Sequence, residues 1–383
     1  MADDTQSTLC GAAVADASPC ALEPGRIWMS GYKPNRFART QSGPIQVRAI
    51  ATGSQTHGIL ILSADTCLIS PRMATDWSQR IAHSINIDPA HIFIITTHTH
   101  SGPDLCGLFG GVPPSYIRFF GDTAVRTATA AWNNRAPATL HIGAAPHALG
   151  IPRRATKGQS DMENQVVALQ WRYAHGVAAT LVNLGCHGVV LPRTSRILSA
   201  DLPGAICHKT DALFGGTTLV APRVQGDVNP AIPGDDPYEQ AGNTAELERL
   251  SELGLESVQN AVNTATQSNP QTIHVHCMDI IYAAHTPASL LFRIPWWSGR
   301  GAHPDARFRI PVRRFIISGI QGISVPGEIL TCLGRDWLMR KPDPSLLFSY
   351  CGGYLGYMML HTSFRNGGYE PMVSPGPVPG LPD

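Results

Sequence analysis

Short runs of apolar, largely β-branched residues constrain this chain more than any other feature. They recur at 57–64, 91–97, 165–171, 177–184, 217–221, 272–282 and 314–325, and most are apolar on successive residues rather than alternate ones. A strand with one wet face alternates, whereas a strand buried on both faces does not. Between several runs lie helical patterns: SPRMATDWSQRIAHSIN from Ser70, SYIRFFGDTAVRTATAAW after Pro114 and NTAELERLSELGLESVQNAVNTA after Gly242. Strands interleaved with helices predict an α/β fold with a mixed or parallel β-sheet core flanked by helices. No internal repeat and no low-complexity linker is found, so 1–383 reads as a single catalytic domain. Residues 1–20 are expected to be flexible, and the Pro/Gly-rich tail 371–383 cannot be helical and should wander or drape over the body. The segment 227–243, rich in Pro, Gly and Asp, reads as a long surface loop.

Hydrophobic residues make up 43% of the chain and charged residues 15%, a balance that excludes disorder and fits a compact body. Net charge is +1 with scattered basic residues, so no basic stripe serves nucleic acid or an anionic membrane. The N-terminus carries acidic residues where a secretory signal has basic ones, which places the chain in the cytoplasm as an expectation. No apolar run approaches the ~20 residues a membrane span needs. The nine cysteines are widely spaced, odd in number and form no CxxC, so they read mostly as small buried apolar residues.

The run HIFIIT leads into Thr97-His98-Thr99-His100-Ser101-Gly102-Pro103. Side chains alternate along a strand, so His98 and His100 emerge on the same side, at a sheet rim where open α/β folds place their chemistry. The bland reading is a hydrogen-bonded structural pair; the other is a metal or catalytic site. A second run delivers His187 into a Gly-containing turn, and a third ends in Gln225-Gly226-Asp227-Val228-Asn229-Pro230. Cys186 and His187, as strand neighbours, would face opposite ways and so cannot pair as nucleophile and base. Zinc takes His nitrogens and a carboxylate while keeping one position open in a catalytic site. Glu328, after a strand and a Pro-Gly turn and near a helix start, is the candidate carboxylate, although an acid in a helix's first turn is also favoured by the helix dipole. HExxH, GxSxG and GxxxxGK[ST] are absent, and Gly102 and Pro103 stand where HxHxDH would need Asp and His. A TIM-barrel amidohydrolase, which opens its binuclear site with HxH, survives as a competitor.

These residues resemble the catalytic domain of the neutral/alkaline, non-lysosomal ceramidases and their shorter bacterial relatives. The matching pieces are THTHSGP at 97–103, NLGCHGVVLP at 183–192, ILSADLPGA at 197–205, QGDVNP at 225–230, VPGE at 325–328 and GGYLGYMMLHTSFRNGGYE at 352–370. The resemblance implies one zinc held by His98, His187, Glu328 and Tyr357, with Tyr354 the alternative tyrosine. It implies Tyr369, twelve residues beyond Tyr357, in the active site, together with an arginine that is Arg153 or Arg154. This chain departs from the family at Asn229, where ceramidases carry Ser, and it is expected to lack both their immunoglobulin-like C-terminal domain and their secretion. Ceramide's two long alkyl tails suit a chain without a membrane-facing apolar helix poorly, so a smaller N-acyl or amide substrate is expected.

The mechanism expected from this set is hydrolysis of an amide by zinc-activated water. His100 would bond the water or the carbonyl, Tyr369 and Arg153 would stabilise the oxyanion, and Asp227 and Asn229 would face the substrate. Two rivals remain: zinc-dependent acyl transfer or amide and lactam formation in small-molecule biosynthesis, and a non-catalytic zinc-binding protein of the same fold. The acyl and amine groups and the oligomeric state are not legible in the sequence.

Overall fold

The computed structural model describes residues 8–23, 25–32, 34–55, 57–154, 162–232, 242–268, 272–283, 297 and 307–383. Of the surface loop expected over 227–243, residues 233–241 lie outside them, and Val228–Pro230 form a buried strand paired with Gly150–Pro152 instead.

Two β-sheets pack face to face, and helices cover both outer faces. The first sheet is built from β1 (Leu9–Asp16), β2 (Gln46–Gly53), β3 (Gly58–Ala64) and β4 (Ile92–Thr96). Its helices are α1 (Pro71–Ile85) and α2 (Pro114–Asn133). The second sheet is built from β5 (Thr139–Pro146), β6 (Gln165–Arg172), β7 (Val177–Leu184) and β8 (Thr217–Pro222), with α3 (Asp201–Phe214) and α4 (Thr244–Asn263). The continuous apolar runs follow from this layering. In β3, Ile59 and Ile61 point into the space between the sheets, while Leu60 and Leu62 meet Trp77, Ile81 and Phe120 of the outer helices. In β6, Val167, Leu169 and Trp171 fill the inter-sheet layer, while Val166 and Ala168 pack against α3 and α4 through Ile206, Val258 and Ala261. Side chains alternate, but both faces are dry, so nothing polar interrupts the run.

The two halves repeat one plan. Each runs strand, strand, strand, helix, strand, helix. The first two pairings are antiparallel and the last is parallel, β1–β2–β3–β4 in one half and β5–β6–β7–β8 in the other. After the second helix of each half a two-residue strand returns to the first strand, Ala136–Pro137 onto β1 and Thr266–Gln267 onto β5. The parallel pair ends in register in both halves, Ala64 beside Thr96 and Leu184 beside Pro222. Even the next hydrogen bond repeats: Thr97 N donates to Ala64 O and Arg223 N to Leu184 O. The sequence shows no repeat, so the duplication is one of topology.

A third sheet joins β9 (Ile273–Ala283), β10 (Arg307–Ile317), β11 (Ile320–Ser324) and β12 (Leu346–Phe348), and α5 (Thr331–Leu338) follows β11. The single strand expected at 314–325 is a hairpin instead. Ile317 pairs with Ile320 across Ser318 and Gly319, both at positive φ, as a two-residue turn requires. The flexible leader expected over 1–20 is also corrected. Leu9–Asp16 form β1, paired along its length with β2, because Leu9 and Cys10 are apolar and buried. The Pro/Gly-rich tail, expected to hold no helix, opens in a 3-10 turn over Glu370–Val373 and then drapes: Val378 and Leu381 are buried, and Trp337 Nε1 donates to Pro382 O. Among the described residues no helix is long and apolar enough to cross a membrane.

Candidate metal centre

The ends of the parallel pairs converge. β4 stops at Thr96, so His98 and His100 are not strand neighbours and alternation does not align them. His98 instead takes a left-handed backbone, φ 60°, with its N–H on Thr66 O. A non-glycine there costs about 1–2 kcal/mol, and the fold sustains it by packing the imidazole flat on the Tyr350 ring, centroids 4.1 Å apart. The two rings still meet, His100 Nε2 lying 3.3 Å from His98 Nε2. His100 is fixed by its N–H to Gly188 O, by the edge of Tyr32 at 4.8 Å, and by Gly31, where a Cβ would come within 2.3 Å of the ring. Arg36 donates to its carbonyl at 3.0 Å.

His187 lies three residues beyond β7, in a loop whose backbone N–H bonds Val228 O. Glu328 is not in a helical first turn. With Ile329 it forms a two-residue strand parallel to Tyr357–Met358, and α5 begins only at Thr331. Its Oε2 lies 3.2 Å from His187 Nε2 and 3.6 Å from His98 Nε2, and all three side chains are buried. The ligand atoms of His98, His187 and Glu328 fall within 4.8 Å of one another, and so do those of Cys67, His98 and His100.

The protonation pattern decides what this cluster can do. His98 Nδ1 bonds Cys67 O at 2.8 Å and His187 Nδ1 bonds Val228 O at 3.0 Å, so each ring's proton is committed to a carbonyl and each Nε2 presents a lone pair. Burial holds His98 down at about 4, against the pull of Glu328, so it is neutral at pH 7. Burial works against the charged form of Glu328, yet its neighbours, with the Tyr354 hydroxyl donating to it, hold it below the ordinary carboxylate range. Three acceptors thus face one another in a dry site. Such groups cost free energy unless a cation or donor sits between them, and two imidazoles with a carboxylate are a zinc-type set.

The tyrosines divide into two groups. Tyr354 donates to Glu328 Oε1 at 2.6 Å and Tyr350 to Oε2 at 3.3 Å. The Tyr357 hydroxyl instead lies 2.6 Å from the Tyr369 hydroxyl and 3.4 Å from Arg153 Nη2. Burial raises Tyr350, Tyr354 and Tyr357 well above their ordinary value and Tyr369 to about 12, so all four are neutral at pH 7.

Arg153 and Arg154 have separate tasks. Arg153, buried, reaches Tyr357, the carbonyl of Gly226 and Oδ1 of Asn229, and its guanidinium lies 5.1 Å from the Tyr369 ring. Arg154 turns away to the carbonyls of Ser363 and Gly367. Glu370, which the sequence reading missed, binds both: Oε1 takes Arg153 and Oε2 takes Arg154, with no exposure to solvent. Gly368 sits against this pair, where a Cβ would lie 2.6 Å from Arg154 Nη1. Glu370 thereby fixes the turn that carries Tyr369. The sequence signal available was its place directly after Tyr369 beside two unassigned arginines. Asp227 commits Oδ1 to the N–H and hydroxyl of Thr331 at the start of α5, and its backbone carbonyl accepts from Arg153 N.

No protein-family profile and no curated protein matches the chain. Solved structures do. The neutral ceramidase of Pseudomonas aeruginosa superposes with a TM-score of 0.78 at 14% identity, over 96% of this chain and 71% of that one. A ceramidase in complex with C2 gives 0.77, also at 14% identity, over 98% and 72%. At this identity the likeness establishes a shared fold: this chain has the α/β architecture found in ceramidase structures.

Proposed function

We propose that the chain is a zinc-dependent hydrolase of an amide (N-acyl) bond, with His98, His187, Glu328 and Tyr357 as ligands and a substrate smaller than ceramide. The observation that carries the reading is the convergence of two Nε2 lone pairs and a carboxylate oxygen in a buried site whose outer hydrogen bonds are already satisfied. The shared fold with ceramidases adds to it. Bound zinc would supply a Lewis acid that activates water and polarises the carbonyl.

The protein's own groups would do the rest. The carbonyls of Cys67 and Val228 fix the ring tautomers and keep Nε2 aimed inward. His100, neutral because desolvation and the neighbouring imidazoles hold it well below its ordinary range, can accept a hydrogen bond from the water. Arg153 and Tyr369 offer N–H and O–H donors where negative charge develops on the carbonyl oxygen. Tyr369 is 39% exposed and its segment also exposes Met372 and Val373, a short apolar rim that suits a modest acyl group. The experiment is metal content of the purified protein and of folded His98→Ala and Glu328→Gln, followed by a screen of N-acyl substrates. About one zinc per chain, lost in both variants, with amide cleavage in the wild type, is the expected result. Zinc absent from the wild type, or retained in both variants, sinks the reading.

A further inference from the structure

The duplicated topology gives Cys67 a counterpart. It stands three residues past the last residue of β3, and His187 stands three residues past the last residue of β7, the corresponding strand of the other half. The position that presents an imidazole to the centre in one half presents a thiol in the other. Cys67 is buried, and its Sγ falls within 4.8 Å of a ligand nitrogen of His98 and of His100; the thiol also touches the Nδ1 edge of the His98 ring at 3.6 Å, where the nitrogen is already given to the Cys67 carbonyl. His100 Nδ1 has no hydrogen-bond partner among the described residues.

We propose that the centre has a second coordination mode, in which Cys67, His98 and His100 bind a thiophilic divalent ion. This rests on the reading of His98, His187 and Glu328 as a metal centre. His98 belongs to both triads and, with Nδ1 on the Cys67 carbonyl, offers a single free nitrogen, so one ion binds at a time. The donor chemistry divides the ions. Two nitrogens with a carboxylate suit borderline zinc, whereas one sulfur with two nitrogens favours softer ions. Glu328 is already ionised, while Cys67 must give up its proton: as the metal–sulfur bond forms the S–H bond breaks, and the proton passes to buffer. No electron changes hands. A soft ion in the second mode takes His98 and His100 from the site and leaves His187 and Glu328 behind, so it acts as an inhibitor that excludes zinc.

The test uses Cd2+ on the metal-free full chain, with Cys20, Cys277 and Cys332, the three cysteines that are not buried, replaced by serine. One equivalent of Cd2+ should produce a sulfur-to-metal charge-transfer band in the ultraviolet. Cys67→Ser should abolish the band with melting unchanged, and His100→Ala should weaken Cd2+ binding by roughly tenfold or more. His187→Ala and, as a second variant, Glu328→Gln should keep it. Zinc should erase the band in competition. A band that survives Cys67→Ser, one lost in both His187→Ala and Glu328→Gln, or simultaneous binding of zinc and Cd2+ overturns the proposal. Zinc binding that ignores His187 and Glu328, beside an intact Cys67 band, would instead overturn the hydrolase centre and leave this mode standing.

Discussion

Three residues past the third strand of each half stands a side chain directed at the centre: His187 in the second half and Cys67 in the first. Two residues past the fourth strand the roles differ again, with His98 in the first half and Val224, buried among apolar side chains, in the second. The halves share hydrogen bonds down to the first residue beyond the sheet, yet they hand different atoms to the site. Backbone register sets where a loop residue emerges, while its chemistry is free to differ between copies. The first half contributes His98 and His100; the second contributes His187, Arg153 and Asn229; and Glu328 and the tyrosines arrive from the C-terminal third of the chain, beyond β11. A site assembled at the junction of duplicated sheets needs no internal symmetry.

Deleting the counterpart side chains should separate the halves most strongly. His187→Ala should lower zinc affinity by more than about 100-fold, beyond what the loss of an outer hydrogen-bond partner costs, while Cys67→Ala should change it by less than about tenfold. Equilibrium dialysis against a chelator of known affinity measures both. Equal losses would mean that zinc itself uses the thiol, and the two coordination modes would merge into one.

A smaller effect separates the donors of each half. On a cleaved amide, Arg153→Ala and His100→Ala should each reduce kcat by about 100-fold, while zinc content is retained. Arg154→Ala should cost under about tenfold, because its bonds go to the carbonyls of Ser363 and Gly367 and to Glu370 rather than into the site. Steady-state kinetics with metal analysis on each variant decides it. An Arg154 variant as damaged as the Arg153 one would show that the turn holding Tyr369, rather than the guanidinium facing it, limits the reaction.

Much of this was legible in the letters because dry strands and strand ends leave strong local signals. The helices after Ser70, Pro114 and Gly242 and the buried runs around Ile61, Ile94, Val167 and Val182 fall where the pattern put them. His98, His187 and Glu328 stand out as polar groups closing apolar runs, and the structure brings them together. A left-handed residue at His98, rather than strand alternation, sets the rings of His98 and His100. What stayed hidden depends on relations that no local window contains. The duplication is carried by hydrogen-bond register, which different residues satisfy equally well. Cys67 looked like any buried cysteine, and its meaning comes from the position of His187 in the other half. Glu370 matters only because two arginines more than two hundred residues earlier fold back onto it.

Acid stability offers the subtlest contrast between the halves. Asp65, directly after β3, and His147, directly after β5, are both buried, and each departs from its ordinary value in the direction burial dictates. Desolvation pushes Asp65 from 3.8 up to about 6, although its Oδ2 accepts the Gln46 N–H at 2.9 Å. Desolvation, with Arg223 nearby, pulls His147 from 6.5 down to about 4, and its Nε2 has no partner among the described residues. Asp65 holds its proton more tightly folded than unfolded, so its contribution is present below 3.8 and is lost as pH rises through 6. His147 is the opposite case: its contribution is present above 6.5 and is lost as pH falls towards 4. The windows overlap, and the two slopes oppose each other. Replacing Asp65 with Asn should steepen the loss of stability on acidification, and replacing His147 with Gln should flatten or reverse it, each by on the order of 2 kcal/mol between pH 6.5 and 4. Denaturant unfolding of the metal-free protein at several pH values measures the slopes. Changes of slope in the same direction in the two variants, each taken against the wild type, would show that one of these groups is solvated in the folded chain, and that the halves differ in packing at the ends of β3 and β5 as well as in the chemistry they present.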